Sequence, residues 1–176
     1  MSWKPFDNEG EPLDLGHLND FEYSLVIPPK DGKPKQTYRL NVIFSLHCFT
    51  RAPKRDEQIP PHLAYSDHRE TRIFDHDRYD LSFQLPAVIR ELAERKCYHD
   101  RYGNFYVIEL IDENGVTRYY SIYFTLSKAG RKRGLNLYVS SAHARDRLPY
   151  EKNTKPIRFR VLVYNVWHRR PVKPAQ

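Results

Sequence analysis

VTRYYSIYFTLSKAGRKRGLNLYVSSAHARDR, Val116 to Arg147, decides the fold of this chain. Two runs within it alternate with period two, and the basic turn SKAGRKRG joins them. In the first, Tyr120, Ile122, Phe124 and Leu126 point one way, and Tyr119, Ser121, Tyr123 and Thr125 the other. In the second, Leu135, Leu137 and Val139 oppose Asn136, Tyr138 and Ser140. Outward from this pair, NFYVIELI (Asn104 to Ile111) enters through the turn DENG, and IRFRVLVYNVW (Ile157 to Trp167) follows a polar connection. The runs predict an antiparallel meander of about four strands. Its last member adds Ile157, Phe159, Val161 and Val163 to the apolar face. Each large side chain buried there contributes about 1.5–3 kcal/mol.

One helix precedes the meander. Leu85, Val88, Ile89, Leu92 and Ala93 recur at helical spacing, Pro86 suits the first turn, and Arg95 and Lys96 suit the last. Further upstream, FEYSLVI (Phe21 to Ile27) and the alternating Thr37 to Thr50 predict an N-terminal β-hairpin, with Leu40, Val42, Phe44 and Leu46 opposite Arg39, Asn41, Ser45 and His47. Arg51 to Pro61 is a polar loop. From Tyr65 to Asp80, charges of both signs crowd around Ile73 and Phe74. The expected organisation is an irregular arm over 1–20, a single α+β domain over 21–168 (hairpin 21–50, helix plus sheet 65–168), and a basic tail over 169–176.

Charge is distributed unevenly. Ser127 to Gln176 holds 13 Lys+Arg against 2 Asp+Glu, a net of +11; the remaining 16 against 20 give −4, and the two make up the chain's +7. A basic half concentrates positive potential where a polyanion can dock, and RNA is the expected partner. An acidic inhibitor or partner protein is the alternative. Cys48 and Cys97 form neither a disulfide framework nor a zinc spacing. MSWKPFDNEG lacks the apolar core of a signal peptide, and no apolar run approaches about 20 residues. These features point to a reducing, cytoplasmic setting and no membrane. The absence of a glycine-rich phosphate loop and of G-x-S-x-G argues against a P-loop enzyme or an α/β-hydrolase. No cofactor is implied.

The polar face of the meander carries the functional expectation. Tyr119, Tyr123, Tyr138, Tyr164 and His168 offer rings on which bases stack, while Arg158 and Arg160, with Arg131, Lys132 and Arg133 in the turn, offer cations for phosphates. An ordinary solvated sheet face has a similar composition. His143 is the sharpest catalytic candidate, with Ser141, Arg145 and Tyr150 close in sequence. Such a set can cleave RNA without metal. A base takes the 2′-hydroxyl proton, the 2′-oxygen attacks phosphorus, and an acid protonates the departing 5′-oxygen. Arg145 would hold the phosphate. His76 or Arg78 would partner His143, and Lys96 is a further candidate. His68, His76, Asp75 and Asp77 match no metal spacing and sit among arginines, which favours ion pairs. A non-catalytic module binding nucleic acid or an acidic protein is the alternative to the enzyme.

LPAVIRELAERKCY followed by NFYVIELI, YYSIYFTL and LNLYVSSAHARDR resembles, over Tyr65 to His168, the small bacterial endoribonuclease toxins of barnase, RelE and colicin type. The likeness is one of topology and transfers no residue. It implies a helix followed by a four-stranded antiparallel sheet, and metal-independent RNA cleavage by His, Lys, Arg, Tyr and Ser/Thr groups. VSSAHARDR is also similar to segments of uncharacterised bacterial and prophage proteins.

Overall fold

The alternation of Tyr120–Leu126 against Leu135–Val139 is realised in the structure, a computed structural model that describes residues 2–29, 32, 34–100, 103–111, 115–130, 134–149 and 154–172. The strands are β1 (Phe6–Asn8), β2 (Glu11–Leu13), β3 (Phe21–Ile27), β4 (Gln36–Phe44), β5 (Thr50–Arg51), β6 (Ala64–Ser66), β7 (Thr71–Phe74), β8 (Lys96–Asp100), β9 (Gly103–Ile111), β10 (Thr117–Lys128), β11 (Leu135–Arg145) and β12 (Ile157–Arg158). The helices are α1 (His76–Ser82), α2 (Leu85–Glu91) and α3 (Phe159–Trp167). This is a mixed α+β architecture, as the sequence implies.

The arrangement of strands differs from the expected meander. Seven strands form the main sheet in the order β12-β8-β9-β10-β11-β4-β3. Strands β8 to β11 are antiparallel neighbours in sequence order, so the run expected to end the helix, Lys96 to Tyr98, instead starts the meander. The N-terminal hairpin is not separate. Its strand β4 pairs in parallel with β11, from Leu40 opposite Leu135 to Phe44 opposite Val139. Gly134 makes this approach feasible. Its φ of +89° is costly for other residues, and a Cβ there would overlap the Arg39 carbonyl.

The clearest correction concerns Ile157 to Trp167. Only Ile157 and Arg158 are extended; the rest is α3. Phe159, Leu162, Val163, Val166 and Trp167 lie at i, i+3, i+4, i+7 and i+8, a helical stripe hidden among β-branched and aromatic residues that favour strands. Burial decides between the two periods. Phe159, Leu162 and Val163 are fully buried, whereas Val161 is 43% exposed. Phe159 meets Phe124 edge-on at 5.9 Å, which seats α3 on the apolar face of the sheet. Leu85, Ile89 and Leu92 of α2 and the 3-10 turn after it join the same core.

Two other segments are more ordered than their sequence suggests. The arm holds the β1–β2 hairpin and sends Trp3, Phe6, Leu15 and Leu18 into the core. The charged Tyr65 to Asp80 stretch forms β6, β7 and α1, and the Asp75 carboxylate caps α1 by accepting from the Arg78 N–H at 3.0 Å. Its acids form ion pairs: Asp77 holds Arg118 of β10 through two bonds of 3.0 and 2.6 Å. The alternation of Thr37 to Thr50 stops at Phe44, where Leu46–Cys48 turn as a 3-10 helix.

A β-bulge interrupts β11. Tyr123 faces Ser141 while Phe124 faces Val139, so Ser140 is the extra residue. Strict alternation would place 141, 143 and 145 on the apolar face with Leu135, Leu137 and Val139. The bulge reverses the parity: Ala142 is fully buried opposite Ile122, and Ser141, His143 and Arg145 join Tyr119, Ser121 and Tyr123 on the other face.

Helix and strand make opposite claims about neighbouring residues of α3. Leu162→Ala should cost about 2–5 kcal/mol in urea unfolding, and Val161→Ala about 0.5 kcal/mol or less. The reverse ranking would restore the strand.

Candidate functional site

Tyr123, Tyr138, Ser140, Ser141, His143 and Arg145, on β10 and β11, form one side of a cleft of about 660 Å³; His47 and Pro149 also line it. The free edge of β11 explains how His47 comes to be there. Strand β4 stops pairing at Phe44, and the 3-10 turn packs against the unpaired edge. The Ser45 N–H donates to the Val139 carbonyl at 3.0 Å and the Ser45 hydroxyl to the Ser140 carbonyl at 2.8 Å. Arg78 fastens this turn from beneath, donating to the carbonyls of His47 (3.0 Å) and Thr50 (2.7 Å). His47 is held in turn by Glu70 at 2.7 Å.

His143 sits at the centre of a short chain of contacts. Arg145 Nε donates to His143 Nε2 at 2.9 Å, and Ser141 Oγ lies 3.3 Å from Nδ1. A guanidinium only donates, so Nε2 must carry the lone pair and Nδ1 the proton. Ser141 therefore accepts from the ring, an arrangement that does not activate its hydroxyl as a nucleophile. Tyr123 lies nearly parallel to the imidazole with centroids 5.8 Å apart, and the Arg145 guanidinium lies 5.6 Å from the Tyr123 ring centre. Burial, then the positive charges of Arg78 and Arg145, push the His143 pKa down to about 4. At neutral pH the ring is uncharged in a positive surrounding.

The other sequence candidates separate from this group. His76 is exposed and meets Phe74 edge-on at 5.2 Å. Arg78 acts on His143 through its charge. Lys96 is exposed on β8, opposite Arg158, with β9 and β10 between it and β11. Arg158 lies on β12. Arg160 packs across the helical layer, donating to the Ala93 carbonyl at 3.1 Å and pairing with Glu94. Tyr164 packs on His168 with ring centres 4.3 Å apart, and Arg170 lies over Tyr164. Because α3 covers the apolar side, Arg160, Tyr164 and His168 cannot share the sheet's polar face with Tyr123 and Tyr138; Arg158, whose neighbour Ile157 faces the buried Cys97, takes the polar face but stands at the far edge, with β8, β9 and β10 between it and β11. Tyr119 remains on that face, opposite Arg145. Tyr150, Arg131, Lys132 and Arg133 lie outside the described residues.

Three contributors escaped the sequence reading. His47 was read only as a polar position of the alternating Thr37–Thr50 run, and Pro149 sits in a segment with no periodic signal. Arg69, in the β6–β7 turn, donates to the Tyr138 hydroxyl at 3.5 Å. A second serine–histidine contact, His17 Nε2 to Ser82 Oγ at 2.7 Å, cannot serve chemistry, because Ser82 is wholly buried and donates to the Tyr79 carbonyl at 2.6 Å. The Cys48 thiol is also buried, which pushes its pKa up to about 12. Among the described residues, no three His, Cys, Asp or Glu side chains gather to hold a metal, and no helix is long and apolar enough to cross a membrane.

A family model described as the YjaZ family matches residues 5–167. Protein YjaZ of Escherichia coli (strain K12) is 30% identical over 167 residues, which cover 93% of this chain and 90% of that protein. No solved structure matches. These matches overturn the resemblance to barnase-, RelE- and colicin-type toxins: they run through the N-terminal segments that the resemblance left out, and neither is to a ribonuclease toxin. The physical reason for the error is α3, which replaces the supposed last strand of the toxin-like sheet.

His143 also makes stability depend on pH. An unfolded histidine titrates near 6.5, and the folded one near 4. As pH falls through that window, the unfolded chain takes up a proton that the folded protein refuses, so this group's contribution to stability declines. His143→Gln should flatten the fall in urea midpoint between pH 6.5 and 4. An unchanged slope would show that the folded ring titrates normally.

Proposed function

We propose that this chain, which belongs to the YjaZ family, binds single-stranded RNA in the cleft formed by Tyr123, Tyr138, His143 and Arg145. The single observation that carries the reading is the placement of Arg145 above Tyr123 in a concave cleft beside Tyr138. A base has a ring to stack on, and its phosphate has a guanidinium within reach of the same ring. Stacking on tyrosine is tolerant of sequence because every base has a π-face. The excess of Lys and Arg after Leu126 adds the long-range attraction that draws a polyanion to the protein.

A second reading keeps chemistry at the same place: metal-independent cleavage with the 2′-oxygen as nucleophile. It is favoured by one observation, the lone pair that the Arg145 contact assigns to His143 Nε2. Nε2 becomes a proton acceptor once Arg145 turns to a phosphate. The low pKa of the free ring weakens it as a base at neutral pH, so binding is the better supported function.

Fluorescence anisotropy with a labelled single-stranded RNA tests the proposal. Affinity should fall steeply with salt as counterion release loses its advantage. Tyr123→Ala and Tyr138→Ala should each cost about 1–3 kcal/mol, and Arg145→Ala should lower the salt slope by about one. Arg158→Ala with Arg160→Ala should change little. Absence of binding at low salt, or loss only in the Arg158/Arg160 double variant, would refute the site. For the second reading, cleavage should persist in EDTA, stop on 2′-methylated RNA and disappear in His143→Ala.

A further inference from the structure

Arg145 and His143 compete with any ligand for the same groups. The guanidinium that would hold a phosphate already donates to His143 Nε2, and the Nε2 lone pair that would accept a proton is already occupied by Arg145. From where it stands Arg145 can offer a phosphate only its Nη donors; its Nε–Nη fork and the Nε2 lone pair of His143 become available only when the two part. We propose that this contact is a latch: a phosphodiester entering the cleft draws Arg145 off His143, the freed Nε2 takes a proton from solvent, and the phosphate is held between two cations. The inference rests on the RNA-binding reading and names how that site recognises its ligand.

The surroundings of the ring account for the direction of the coupling. On β11, Ser141 holds Nδ1 and Arg145 holds Nε2. From β10, Tyr123 stacks on the ring, and the buried Ser121 is its cross-strand partner. From α1, Arg78 adds positive charge. Tyr138 shares the β11 wall of the cleft with the ring, and His47, paired with Glu70, lines it too. Burial and the positive charges of Arg78 and Arg145 dominate the ring's surroundings, so the free site repels a second proton. An anion reverses that balance twice, by removing the Nε2 donor and by adding negative charge. Linkage then requires that protons tighten the binding of the anion, because each ligand favours the state the other favours.

The experiment uses the full chain and a short oligouridylate, whose bases and phosphodiesters do not titrate in the relevant range. Ring nitrogen NMR of His143, assigned by comparison with His143→Gln, reports tautomer and protonation. In the free protein the ring should be neutral with the proton on Nδ1 and titrate near 4. With saturating oligouridylate it should titrate at least one pH unit higher. Affinity should rise as pH falls, by up to about tenfold per unit, and His143→Gln should lose that added dependence. Arg145→Gln should raise the titration of the ligand-free ring and abolish the further shift on binding. If oligouridylate binds in the cleft but leaves the His143 titration unchanged, the latch is wrong and the binding site stands. If oligouridylate does not bind, the RNA reading and the ligand-driven release both fall. If Arg145→Gln leaves the free ring titrating as before, the Arg145–His143 contact is not a latch, whatever binds.

Discussion

One extra residue in one strand governs the functional geometry of this protein. Ser140 forms a bulge opposite Tyr123, and the two faces of β11 exchange their odd and even positions across it. On one side of the bulge the apolar face is Leu135, Leu137 and Val139; on the other it is Ala142. The core stays sealed through the irregularity because Ala142 is small and meets Ile122 in register. The consequence on the open face is that Tyr138, before the bulge, and Ser141, His143 and Arg145, after it, line one cleft. Without the bulge an arginine and a histidine would point into the core at a large desolvation cost.

The free edge of β11 completes the arrangement. Strand β4 leaves the sheet at Phe44, and its continuation folds back as the turn that carries His47. Arg78 satisfies the carbonyls that this turn leaves unpaired, and its charge lowers the proton affinity of His143. A residue that stabilises a wall of the cleft thus also sets the electrostatics inside it. The neutral, doubly engaged imidazole follows from these neighbours together.

Local pattern made β9, β10 and β11 legible in the sequence, as well as the apolar face built from Tyr120, Ile122, Phe124, Leu135, Leu137 and Val139, because one buried face imposes period two on any strand. Two kinds of information were not local. The parallel pairing of β4 with β11 joins residues nearly a hundred positions apart, and nothing in either strand specifies it. In α3, Phe159, Leu162 and Val163 satisfy a helical period while Phe159, Val161 and Val163 satisfy a strand period, so only the packing against Phe124 decides. The cleft was partly visible for the same reason. Tyr123, Tyr138, Ser141, His143 and Arg145 stood out by residue type, but the bulge that gathers them leaves no periodic mark. Arg160, Tyr164 and His168 were grouped with them because α3 was read as a strand, and Arg158 because alternation gives its face but not its place at the far edge of the sheet.

Chemical labelling of single cysteines along β11 tests the bulge most directly. Cysteine is placed in turn at Leu137, Tyr138, Val139, Ser141, Ala142 and His143, and maleimide modification is followed in the folded protein, where Cys48 and Cys97 are buried. The account requires labelling at 138, 141 and 143 and protection at 137, 139 and 142. Protection at 141 and 143 with labelling at 142 would mean that alternation runs unbroken through Ser140, and the cleft as described would not exist.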